Sequence, residues 1–180
     1  MRIIAGSARR TQLVAPQGQN TRPTSDMARE SLFNIIAPHV PGAHFLDIFC
    51  GSGAMGIEAL SRGAKTATFI DNAHSAIQAV QTNLAKTKLA TQATVLKASA
   101  TQALSGLNTA FDIIFLDPPY DTNLANQTIA LLSGTSLLAP QGILIVESPQ
   151  ELIVPAPFTL TSQRKYGRAH FHFINLEGAV

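Results

Sequence analysis

Five short apolar, β-prone segments recur along this chain, at residues 44–49, 66–70, 93–96, 111–116 and 142–147. The first four are each followed by a stretch of helical character, reaching Ser61 after the first and then covering 75–86, 99–107 and 124–132. Continuous apolar strands separated by helices belong to parallel sheets buried on both faces. Two further segments, 158–164 and 169–176, flank Tyr166-Gly167 and read as a closing hairpin. The pattern predicts a single α/β domain, with a seven-stranded, mostly parallel sheet and an antiparallel C-terminal hairpin. Its 180 residues, 46% of them apolar, are enough for one sizeable core. Residues 2–4 and 11–14, joined through Gly6-Ser7-Ala8-Arg9-Arg10, predict a small basic β-hairpin outside the main sheet. On this reading residues 1–22 form an N-terminal extension and residues 23–180 the main domain. A helix starts after Thr24 or Ser25 as cap, sets Ala28, Leu32, Ile35 and Ile36 on one face, and stops at Pro38. Arg22 and Arg29 are expected to turn away from that face, towards substrate.

The fourth strand ends in Asp117-Pro118-Pro119-Tyr120. Open α/β sheets bind their ligands at such carboxyl ends. The two prolines fix φ and remove N–H donors, leaving a stiff turn rich in acceptors. A carboxylate and a carbonyl on this turn suit the hydrogens of an exocyclic nucleobase amine. That amine is a poor nucleophile while its lone pair is delocalised, and holding its hydrogens favours a pyramidal nitrogen. Tyr120 offers a face on which an extruded base stacks. Asp117, Pro118, Pro119 and Tyr120 are therefore the candidate catalytic residues.

The first strand runs through Asp47 into Gly51-Ser52-Gly53-Ala54-Met55-Gly56, a match to the G-x-G-x-x-G fingerprint. Asp71 closes the second strand at about the spacing of a ribose-binding acid. A nicotinamide or flavin enzyme remains a rival on these residues alone. Against it, Asp47 repels a pyrophosphate but suits a ligand bearing an ammonium, such as S-adenosyl-L-methionine. Asp47 is equally suited to ordering the loop by accepting backbone N–H bonds. With the usual winding the first and fourth strands are neighbours, about 5 Å apart. The glycine turn and the Asp117 turn then face each other, and such positioning supplies roughly 7–11 kcal/mol of a barrier.

Charge is unevenly spread. Residues 1–30 hold Arg2, Arg9, Arg10, Arg22 and Arg29 against Asp26 and Glu30, and the last residues hold Arg164, Lys165 and Arg168 against Glu177. The middle of the chain is acidic. Basic ends suit a polyanion such as nucleic acid. The single cysteine, Cys50, excludes an internal disulfide and is read as packing; no zinc-type cluster is visible and no metal is expected. His170 and His172 read as strand surface. No apolar run reaches membrane-spanning length, and a cytoplasmic protein is expected.

These residues resemble the RsmD family of class I S-adenosylmethionine-dependent methyltransferases, which act on a guanine N2 of bacterial 16S ribosomal RNA. The resemblance is carried by Arg2 to Gly6, Arg22-Pro23-Thr24 with Arg29 to Asn34, Asp47 through Gly63, Asp117 to Tyr120 and the Gly167 hairpin. It implies a Rossmann-like fold and methyl transfer to a 2-amino group, with S-adenosyl-L-methionine as cofactor. It further implies that Asp47, Gly51 and Gly53 hold the methionine part, Asp71 and Asn72 the ribose, and Ser99 and Ala100 the adenine. Arg2, Arg9, Arg10, Arg22, Lys165 and Arg168 are the expected RNA contacts, on ribosomal RNA or a small-subunit particle, and a monomer is expected. Amino methylation of adenine in DNA is the near alternative.

Overall fold

The computed structural model describes residues 1–17, 25–119 and 123–178. Seven strands form one sheet: β1 His44–Ile48, β2 Thr66–Asp71, β3 Ala93–Lys97, β4 Phe111–Leu116, β5 Leu138–Glu147, β6 Phe158–Tyr166 and β7 Ala169–Leu176. Their order is β3-β2-β1-β4-β5-β7-β6. The pairs among β1 to β5 are parallel, and β7 is antiparallel to both its neighbours. After β3 the chain crosses back to the other side of β1, so β1 and β4 lie side by side. That adjacency opens the crevice at which such sheets bind ligands.

Among the described residues, five α-helices cover the two faces: α1 Asp26–Ile35, α2 Ala54–Ser61, α3 His74–Thr87, α4 Ala100–Gly106 and α5 Leu124–Ser133. Side chains alternate along each strand, so each face gathers its own core. Phe45, Ile113, Phe115 and Ile145 pack with α1, α2 and α3. Leu46, Ile48, Ile114 and Leu116 pack with α4 and α5. Ser25 caps α1 by accepting from the Ala28 amide, as one of the two expected caps.

The structure departs from the expected pattern in three places. On α1, Ile35 is 40% exposed, while Arg29 is fully buried. Arg29, Leu32, Phe33 and Ile36 share i, i+3, i+4, i+7 spacing, which is the face that meets the core. Arg29 therefore points inward and not to a substrate. β5 begins at Leu138, earlier than residue 142, because Leu138 pairs with Phe111 ahead of a register shift before Ile113. His172 is buried, with Nε2 3.0 Å from the Ser148 carbonyl. It lies on β7, which is interior to the sheet, and so it is not strand surface.

The amino-terminal hairpin is present with one β-bridge, Arg2 to Gln12, supported by backbone bonds from Ile3 to Thr11 and from Leu13 to Met1. Ile3, Ala8 and Leu13 bury into the same core as α1 and α2.

Candidate active site

The tips of β1 and β4 are tied together. Ile48 is level with Leu116 in the parallel register, and the Asp117 amide donates to the Ile48 carbonyl at 3.4 Å. Asp47 is level with Phe115, so Asp47 and Asp117 emerge on the same sheet face from adjacent strands. Asp47 is 1% exposed and Asp117 is half-buried. Burial pushes the Asp47 carboxyl up to about 8, against one amide bond from Gly56 that favours its charged form. Burial also raises Asp117 well above the carboxylate range, and the negative charges of Glu147 and Asp47 raise it further. Two buried acids whose proton affinity is raised in a crevice are poised to receive a cation or to handle a proton.

The glycine turn is built as its spacing suggests. Gly51 (φ +54°) and Gly53 (φ +74°) are left-handed, a conformation glycine adopts without penalty. Gly56 sits where a Cβ would lie 2.4 Å from the Phe69 ring, so only glycine lets α2 approach β2 this closely. The Gly56 amide donates to Asp47 Oδ2 at 2.9 Å, and the Gly51 amide to Asp71 Oδ2 at 3.0 Å. Both acids thus order the loop, and each carboxylate retains acceptor sites for a ligand.

Asp71, Asn72, Ser99 and Ala100 line a cavity of about 100 Å³, together with Phe49 and Leu131. The structure therefore brings the expected ribose- and adenine-contacting positions to one place, at the ends of β2 and β3. Ser99 caps α4 through a reciprocal bond pair with Gln102. Asn72 is exposed at the rim. Cys50 is buried and its thiol is held well above its usual range, chiefly by burial, which agrees with a packing role.

The segment Glu58 to Gly63 is the seam that docks the hairpin. Glu58, fully buried, accepts from the Ile4 amide at 2.8 Å and the Ala5 amide at 3.0 Å. Arg62 pairs with it at 2.7 Å and Arg29 at 3.9 Å. Ser61 Oγ accepts from the Ala8 amide and donates to the Ala5 carbonyl. Arg29 also donates to the Arg2 carbonyl and to Asp26, and burial lowers its proton affinity. Asn83, buried on α3, bonds Val14 of the hairpin strand and the Ser52 carbonyl of the glycine turn. The hairpin thereby braces the ligand loop.

Arg2, Arg9 and Arg10 are exposed around a second, largely polar pocket of about 290 Å³, which Asp26 and Glu30 also line. Lys165 and Arg168 are exposed at the far end of the β6–β7 hairpin. Arg22 and Tyr120 lie outside the described residues. Pro118 is buried and Pro119 exposed, just after Asp117.

Three residues of the site escaped the sequence reading. Phe49 adopts φ +61°, rare for an aromatic residue, and lines the cavity. Its signal was its place between strand and glycine turn. Glu147, 2% exposed, ends β5 beside Asp117. An acid closing an apolar strand was the feature that singled out Asp117 as well. Asn83 carried no local signal, because its partners are 31 and 69 residues away.

The sheet order, the glycine turn with its two acids and the Asp117 turn beside it define a class I methyltransferase fold. The comparisons narrow this. The family model described as conserved hypothetical protein 95 matches residues 1–175. The ribosomal RNA small subunit methyltransferase D of Escherichia coli strain K12 is 38% identical, over 98% of this chain and 90% of that protein. That of Haemophilus influenzae is 37% identical, over 93% and 89%. The solved structure of Escherichia coli yhhF superposes with a TM-score of 0.87 at 39% identity, covering 98% of each chain. The chain belongs to this family, the RsmD-type methyltransferases.

Proposed function

We propose that this protein methylates the exocyclic 2-amino group of one guanine in small-subunit ribosomal RNA, with S-adenosyl-L-methionine as donor. The observation that carries the reading is the placement of Asp117 on the strand next to the glycine turn, on the same sheet face as Asp47. The names of the relatives supply the substrate class.

The residues fit the donor. Asp47 is a buried acid that gains from a cationic partner, which suits the ammonium of the methionine part. Gly51 leaves the backbone open to close approach, since no atom lies within 4 Å of a Cβ built there. A Cβ at Gly53 would press on Val80 at 3.0 Å, so Gly53 serves the methionine part through the left-handed turn it makes. Asp71 and Asn72 flank the cavity as ribose contacts, and Ser99 and Ala100 stand where an adenine would rest. When bound, S-adenosyl-L-methionine supplies a methyl group made electrophilic by sulfonium. Asp117 and the carbonyl of Pro118 accept the amine hydrogens and orient its lone pair. Tyr120 stacks the base. Holding the amine so that its approach needs no solvent rearrangement is the main catalytic contribution of the turn. Arg2, Arg9, Arg10, Arg22, Lys165 and Arg168 contact phosphates and place the RNA over the crevice. Four of the five arginines among them, Arg2, Arg9, Arg10 and Arg22, fall in the 1–22 extension, which is proposed to be the RNA-facing part of the domain.

Methyl transfer to small-subunit RNA, followed by mapping of the methylated base, tests the reading. A single 2-methylguanine is expected. A methylated adenine, or no transfer from S-adenosyl-L-methionine, overturns it.

A further inference from the structure

Methylation of an amine leaves a proton to be disposed of. As the nitrogen gains the methyl carbon, the carbon–sulfur bond breaks with its electron pair on sulfur. The nitrogen, now bearing an extra substituent, must release one hydrogen as a proton. The acceptor has to be a base at the crevice. Resting on the methyl-transfer reading above, we propose that Asp117 and Glu147 act as one carboxylate pair that takes up this proton, with Glu147 working through Asp117.

The geometry comes from the sheet. Leu116 on β4 is level with Val146 on β5, so the next residues, Asp117 and Glu147, sit side by side at the tips of adjacent parallel strands. Both follow the alternation that places Phe115 and Ile145 on the α1–α2 face, so both side chains leave the sheet on that face. Adjacent strands are about 5 Å apart, within reach of a shared proton. Glu147 is 2% exposed and held between β4 and β7, where it is level with Phe171. It lies one strand further from the glycine turn than Asp117, so it acts as a positioning residue and not as a catalytic one.

The charged groups set against Asp117 are Glu147 from β5 and Asp47 from β1. Carboxylates at neighbouring strand tips repel when both are ionised, so the proposed pair holds one proton between them before the reaction. A cation bound at Asp47 removes the third negative charge. The pair then enters the reaction with one proton and one negative charge, and leaves it with two protons and none.

The test compares wild type with Glu147→Gln, which keeps shape and removes the charge. Single-turnover methyl transfer is measured against pH, together with the dissociation constant for S-adenosyl-L-methionine and KM for RNA. In wild type, the acidic limb reports protonation of the pair. Loss of a negative neighbour makes Asp117 a stronger acid, so in Glu147→Gln the limb moves to lower pH by about one unit or more. The rate maximum falls roughly ten- to a hundredfold, as expected for a weakened base. Donor affinity and KM stay within about twofold, and Glu147→Asp recovers part of the rate.

A second readout needs no turnover. The infrared band of protonated carboxyls at neutral pH should be weaker in Glu147→Gln than in wild type, with the Asp47 contribution cancelling in the difference. Should Glu147→Gln not fold, Glu147→Met, an apolar side chain of similar length, replaces it in the same difference and is expected to weaken the band likewise. Coincident pH limbs, or an unchanged carboxyl band, overturn the pair. A wild-type protein that transfers no methyl group to guanine overturns the function instead, and leaves the infrared comparison to judge the pair alone.

Discussion

Asp47 orders the glycine turn and is proposed to hold the donor's ammonium, and the conflict between these roles is measurable. It anchors the Gly56 amide, and its carboxyl is pushed up to about 8 by burial. The folded state therefore keeps a proton that the unfolded chain releases. Stability from this group is present below about 3.8 and declines as pH rises from there to about 8. Asp47→Asn keeps an acceptor for Gly56 but does not titrate. Its advantage over wild type should grow across that window, raising Tm near pH 8 by about 2–4 °C for each kcal/mol gained. A cationic donor has the opposite preference, since it needs the ionised form. Apparent affinity for S-adenosyl-L-methionine should rise up to tenfold per pH unit between roughly 6 and 8. Calorimetry in buffers of different ionisation enthalpy should register release of about one proton at pH 7. A flat affinity profile would confine Asp47 to loop ordering.

At the scale of elements, the hairpin and α2 form one structural unit. Glu58 is buried, accepts two hairpin amides and faces two arginines. Glu58→Ala strips the buried Arg29 of one of its two acidic partners and two hairpin amides of their acceptor, and should cost about 3–5 kcal/mol. Chemical denaturation measures this, and limited proteolysis should then cut within the first residues before the main domain opens. A hairpin that stays protected would mean that Ile3, Ala8 and Leu13 suffice to hold it. Gly6 is equally constrained, because a Cβ there would lie 1.7 Å from the Ser61 carbonyl oxygen. Sequence pattern revealed the elements because apolar periodicity is local. The strands around Asp47 and Asp117 were legible, as was the glycine turn between β1 and α2. Arg29 was misread because its charge suggested solvent, while its i+3 and i+4 neighbours placed it in the core. Its partner Glu58 lies 29 residues further along the chain, where no local pattern connects the two. The role of Glu147 was hidden for a related reason, since it depends on the pairing of β4 with β5.

For the whole molecule, the proposed direction of RNA approach follows from where the exposed arginines lie on the fold. Arg2, Arg9 and Arg10 are exposed on the hairpin, and that hairpin touches the glycine turn through Asn83. Replacing Arg9, Arg10 and Arg22 together should weaken RNA binding and flatten its salt dependence, by about 0.7–0.9 in slope for each phosphate that is no longer neutralised. An unchanged slope would move the RNA footprint elsewhere. The central claim is narrower: the turn at the end of β4 orients an amine for a donor held at the end of β1. The most direct measurement is the single-turnover rate of methyl transfer to small-subunit RNA by wild type and Asp117→Ala, with donor affinity measured alongside. The account predicts a rate lower by roughly two to three powers of ten, with donor affinity little changed. A variant that transfers methyl groups at close to the wild-type rate would contradict it.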